Sequence, residues 1–213
     1  MSYISRCEDN IFPLSEEKNN LDIALREWVY TRDMYDLGEA VENCELCDHP
    51  NIRYQFKIRN LHNDNELLVG SECINNFEIK AISDGGYILD ADRSQKKVNR
   101  DRRHLVAEAS KKRLINTLVE LSRKEEKFNI NSFIDYVQDR GAFTPNQLVF
   151  LLSMLNRNNI KYRASDFKIT IHRNREKDQL KSMPEWKLSR LWLSMASSQR
   201  KWVIENTGYS LLE

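Results

Sequence analysis

"CELCDHPNIRYQFKIRNLHNDNELLVGSEC", residues 44–73, carries three of the chain's four cysteines around an alternating segment. Cys44 and Cys47 have two residues between them, the spacing at which a tight knuckle aims both sulfurs and their flanking amides at one tetrahedral centre. From Ile52 to Arg59, apolar Ile52, Tyr54, Phe56 and Ile58 alternate with Arg53, Gln55, Lys57 and Arg59, which predicts a half-buried strand with a basic outer face. The polar "NLHNDNE" is a turn, "LLVGS" a return strand and "CINNFEIKAI" a short helix. A hairpin that leaves the knuckle and returns brings Cys73 back to Cys44 and Cys47. There Cys73 sits at a helix start, where the dipole favours thiolate. The reading is a Zn2+ site made by Cys44, Cys47 and Cys73.

The fourth ligand is chosen by reach. His62 lies in the turn, about eight strand residues or roughly 26 Å from the knuckle, and is excluded. His49, two positions past Cys47, is the first choice. Cys7 and His104 stay open if the N-terminal arm or a later helix folds back. Asn76, one turn after Cys73, stands where a last ligand would be expected, and asparagine is a poor zinc ligand.

Four stretches taken together, "ALREW" (24–28), "CELC", "IRYQFKIRN" (52–60) and "VGSECINNF" (69–77), resemble a group of largely uncharacterised bacterial and phage proteins. The resemblance spans about the first 80 residues and implies a treble-clef-like or ribbon-like zinc finger. Some members of that group have a cysteine where this chain has Ser71. No activity comes with the resemblance, and a phage or mobile-element origin is what it implies about source.

Outward from the cysteines, charge is unevenly spread. The 213 residues carry a formal net charge of +1, yet residues 1–92 hold 19 acidic and 8 basic side chains, and residues 93–213 hold 13 and 25. That asymmetry points to an anionic partner for the second half, or to attraction between the halves. A hydrophobic content of 40% with four tryptophans argues for folded domains. No apolar run approaches membrane-span length, and "MSYISRCEDNIF" has neither the basic start nor the apolar stretch of a secretory signal, so a cytoplasmic protein without membrane contact is expected. In that reducing setting clustered cysteines read as metal ligands rather than disulfides.

Leu21, Ala24, Leu25, Trp28 and Val29 predict an amphipathic helix over 20–31. Asp92 with Gln95 reads as a capping box opening a long helix over about 93–125, polar in its first turns and apolar at Leu114, Ile115, Leu118, Val119 and Leu121. Such a helix docks by its second half and projects its first. Further on, Gly141 interrupts a helix, and Thr144, Pro145 and Gln147 open the next. "FKITIHR" reads as a short strand, and "PEWKLSRLWLSMASSQRKWVIEN" as two more helices. The fold class is therefore α+β. A small zinc-stabilised hairpin and helix (1–92) leads into a basic linker helix (93–125) and a helical C-terminal domain (126–213).

The chain has no Gly-rich phosphate loop, nucleophile elbow or paired histidines on a helix. "CDHPNI" with Asn60 or Asn63 looks slightly like an HNH nuclease, but "SECINNFEIK" lacks that pattern's last histidine. A non-catalytic nucleic-acid-binding role, DNA or RNA, is the first reading. It rests on Arg53, Lys57 and Arg59 of the hairpin and Arg93, Lys96, Lys97, Arg100, Arg102 and Arg103 of the long helix. The alternative is a module that binds or inhibits a host protein through Trp186, Trp192 and Trp202.

Overall fold

The run Trp28–Tyr30 is where spacing misleads. In the computed structural model, which describes residues 2–125 and 129–209, the expected helix over 20–31 is cut to Leu21–Arg26 (α2). Asn20 Oδ1 accepts the Ile23 amide at its start. Trp28 then opens a strand, β1, running to Asp36. Trp28, Val29 and Tyr30 are buried at consecutive positions, so both faces of β1 are covered there, and continuous burial erases the alternation that marks a half-exposed strand.

The architecture is mixed α+β. Helix α1 (Tyr3–Ile11) precedes α2, and the hairpin is β2 (Tyr54–Asn60) with β3 (Glu66–Val69), paired antiparallel as expected. Helix α3 (Ser71–Asn76) and the two-residue β4 (Lys80–Ala81) follow. Sheet order is β3-β2-β1-β4, with β1 antiparallel to β2 and parallel to β4. The β1–β2 register slips between Tyr30 and Met34, where Arg32 adopts φ 81, a bulge that turns the rest of the strand.

Helix α4 runs from Ala91 to Lys124. Asp90 rather than Asp92 caps it, its Oδ1 accepting the Arg93 amide at 2.8 Å. Its first turns do not project. Ser94, Lys97 and Val98 are buried, and Ser94 Oγ accepts the Ala81 amide at 2.8 Å, so a small hydroxyl satisfies the edge of β4. Polar residues can face inward when a backbone donor waits for them.

The chain divides into two compact units, Met1–Ala109 and Ser110–Glu213, so α4 contributes to both. The first has a core around Trp28, Tyr30, Phe56, Ile58 and Ile74. In the second, Leu114, Leu118 and Leu121 of α4 pack with α5 (Ile130–Arg140), α6 (Pro145–Arg157), α7 (Asn174–Lys181), α8 (Glu185–Leu191) and α9 (Ser197–Thr207). Residue 126, where a separate helical domain was expected to begin, lies outside the described residues. Gly141 ends α5 at φ 69, and Thr144 with Gln147 forms the anticipated capping box of α6. "FKITIHR" makes only an isolated bridge, Ile169 to Phe143. Among the described residues, no helix is long and apolar enough to cross a membrane.

Candidate metal centre and basic groove

Cys44 and Cys47 sit on a turn closed by the Asp48 amide donating to the Cys44 carbonyl at 2.8 Å, with Asp48 at φ 56. The turn is tied to β3 because the Glu45 amide donates to the Leu68 carbonyl, while the Leu68 amide donates back to the Glu45 carboxylate. From β3 the chain passes Gly70 into α3, whose third residue is Cys73. The Gly70 amide donates to Cys44 Sγ at 3.4 Å. Cys73 Sγ then lies 3.5 Å from Cys44 Sγ and 3.2 Å from Cys47 Sγ. All three thiols are buried, all are free, and their sulfurs lie within 4.8 Å of one another. This cluster can hold a metal ion. Sulfurs about 2.3 Å from a tetrahedral ion stand about 3.8 Å apart, close to these separations.

The electrostatics agree. The Cys73 thiol and the Gly70, Cys47 and Leu46 amides all favour thiolate at Cys44, whose pKa falls to about 5 against the cost of burial. The hydrogen bond from Cys73 to Cys44, together with burial and the Cys44 charge, raises the Cys73 pKa, and burial raises that of Cys47. One negative charge is accommodated readily. Three at this spacing require a cation between them.

His49 is exposed and lines the same pocket as the three cysteines, and its carbonyl accepts the Cys44 amide at 2.9 Å. Among the described residues, no histidine, carboxylate or fourth thiol joins the three sulfurs within 4.8 Å. Cys7 is fully buried on α1, its pKa pushed up to about 12 by burial and by the charges of Cys47 and Cys44. His104 is exposed on α4. Sequence reasoning missed Tyr3, whose hydroxyl lies 3.7 Å from Cys73 Sγ and whose ring stacks on Phe77. It also missed that α1 covers the knuckle, where Arg6 donates to the Cys47 carbonyl and Asn10 to that of Leu46. No local spacing signals a contact across some forty residues.

Most of the basic residues singled out from sequence have acidic partners. Arg53 pairs with Asp36 at 2.6 Å, Lys57 with Asp33 and Glu66, and Arg59 with Asp64. Lys97, expected to be solvated, is 7% exposed and held between Asp84 and Asp101. Arg93 pairs with Asp90 and Arg100 with Asp101. Among the described residues, Lys96, Arg102 and Arg103 have no carboxylate at ion-pair distance. Arg102 lines the cysteine pocket, whereas Arg93, Lys96, Lys97, Arg100 and Arg103 line one groove opposite the turn at 83–89. Asn60 and Asn63, the nuclease-like positions, are structural: Asn60 Nδ2 donates to Glu27 Oε2 at 2.7 Å, and Asn63 Nδ2 to the Leu14 carbonyl at 3.0 Å.

Trp192 and Trp202 pack against the core of the second unit, while Trp186 is 57% exposed. No family model matches the chain, and no curated protein or solved structure matches it either.

Proposed function

We propose that the chain is a non-catalytic nucleic-acid-binding protein whose N-terminal unit is held together by a structural Zn2+. Cys44, Cys47 and Cys73 are the proposed ligands, with His49 completing the four. Three buried thiolates are the donors typical of structural zinc sites, in which protein atoms fill the coordination sphere. When bound, the ion neutralises the thiolates and locks knuckle to helix start. The anionic partner is proposed from one observation, the row Arg93, Lys96, Arg100 and Arg103 on a single face of α4, where Lys96 and Arg103 keep their charge free for phosphate. The ion-paired hairpin cations Arg53, Lys57 and Arg59 take a lesser part.

Two measurements on the purified full chain test this. Elemental analysis is expected to give one zinc per chain, reduced in His49→Ala; retention equal to wild type moves the fourth ligand to Cys7 or His104. Salt-titrated binding to DNA and RNA is expected to show affinity that falls steeply with salt. No affinity for any nucleic acid at low salt ends the binding half of the proposal. A second reading then takes its place, a protein partner docking at Trp186, whose exposed ring lies under Lys187 and Arg190.

A further inference from the structure

We infer, resting on the nucleic-acid reading above, that the groove beside α4 takes single strands, with Tyr87 as the platform for an unstacked base. Tyr87 is not part of the cation row; it stands on the opposite wall, in the turn at 83–89. That turn is ordered. Ile82 and Ile88 pair across it, the Ser83 amide donates to the Tyr87 carbonyl at 2.8 Å, and Ser83 Oγ accepts the Tyr87 amide at 3.1 Å. Gly86 at φ 82 makes the reversal.

Tyr87 is 63% exposed, and its ring packs on backbone. It lies on Gly85, where an added Cβ would come within 3.0 Å of the ring's Cε1. A glycine there lets the ring rest on bare backbone and leaves its remaining surface to solvent. Tyr87 is not among the residues that form or pack against the first unit's core. Across the groove, Arg93, Lys96, Arg100 and Arg103 recur at helical spacing, and the carboxylates facing them, Asp84, Asp90 and Asp101, are already engaged by Arg32, Lys97, Arg93 and Arg100. Five lining cations against these three carboxylates, with Arg32 also on Asp84, leave the groove positive.

A cation row alone would meet duplex and single strand alike, because it sees only phosphate. An exposed aromatic on the facing wall adds an interaction that paired and stacked bases cannot use, and the combination of charged groove and stacking ring is the recognition chemistry of single strands. The backbone would follow α4 and a base would turn toward Tyr87.

The test compares the full-length, metal-loaded protein with a short labelled oligothymidylate, the matching oligouridylate and a mixed-sequence duplex by fluorescence anisotropy at low salt. Wild type is expected to prefer the single strands. Tyr87→Ala should weaken single-strand binding about fivefold or more and leave duplex binding unchanged, while Tyr87→Phe retains it. Duplex bound as tightly as single strands, or Tyr87→Ala without effect, overturns this inference and leaves the nucleic-acid reading standing. Absence of binding to all three probes ends both.

Discussion

Glu27 ends α2, and its carboxylate accepts the amides of Glu16 and Glu17, each at 2.8 Å, and Asn60 Nδ2 at 2.7 Å. Three donors gather the segment after α1 and the end of β2 around one buried charge. Burial acts to raise the Glu27 pKa, but the bonds from Asn60, Glu17 and Glu16 together outweigh it and hold the carboxyl below its ordinary value. A depressed folded pKa contributes stability above the unfolded value of about 4.3, and that contribution is lost as pH falls through the folded value. Glu27→Gln turns an amide group toward donors and should cost about 1–3 kcal/mol at neutral pH. In urea titrations the gap to wild type should narrow in acid, where the wild-type carboxylate protonates; a gap constant with pH would show that the charge is not what matters. None of this was legible in "ALREWVY", because one glutamate among helix formers looks like a solvated surface residue. Lys97 misled for the same reason: its partners Asp84 and Asp101 are assigned by the fold, not by spacing along the chain.

The elements with a periodic or punctuated sequence were readable, and those buried on both faces were not. The hairpin showed through its alternation and polar turn, and α6 through Thr144, Pro145 and Gln147. Strand β1 was hidden because Trp28, Val29 and Tyr30 are buried in succession, so that both faces of the strand are covered, a pattern that a helix end also fits. For α4 the polar first turns were visible but their inward face was not, since it is made by Ser94 and Lys97 rather than by apolar residues. The helix therefore offers a narrower basic surface than its composition suggests, which sharpens the mutational test. Replacing Lys96, Arg100 and Arg103 by Ala, with Lys97 kept, should leave folding intact. It should lower the magnitude of the salt slope by roughly 0.7 on single strands or 0.9 on duplex for each phosphate that the variant no longer neutralises. Circular dichroism checks the first outcome and binding at several salt concentrations the second. A slope unchanged in the triple variant would move the phosphate site off α4 and onto the hairpin cations.

Charge and core divide the whole molecule differently. The unit 1–109 holds 21 acidic and 14 basic side chains, and 110–213 holds 11 and 19, so the proposed cation row lies in the unit that is acidic overall. The asymmetry seen in the sequence was real, but a boundary drawn at residue 93 assigned the row to the basic half. The cores are separate sets of residues: one ends in sequence at Val98 and the other begins at Leu114, both on α4. The cysteine cluster belongs to the first, where it joins the knuckle to α3, and none of its ligand candidates lies beyond residue 109. A metal ion bound at the folded site would add stability to that unit by linkage, and its removal would take the same stability away. Chelator, or Cys47→Ser, should therefore lower one thermal transition and leave a second near its original temperature, rather than shift a single transition. Hydrogen exchange locates the effect: amides of β2, β3 and α3 should lose protection, while those of α6, whose Leu148, Leu151, Leu152 and Leu155 lie in the other core, should keep it. Equal loss in α6 would mean that the continuous α4 transmits unfolding between the cores. Protection unchanged everywhere in chelator would mean that the three thiols pack as small apolar side chains and that no metal stabilises the fold.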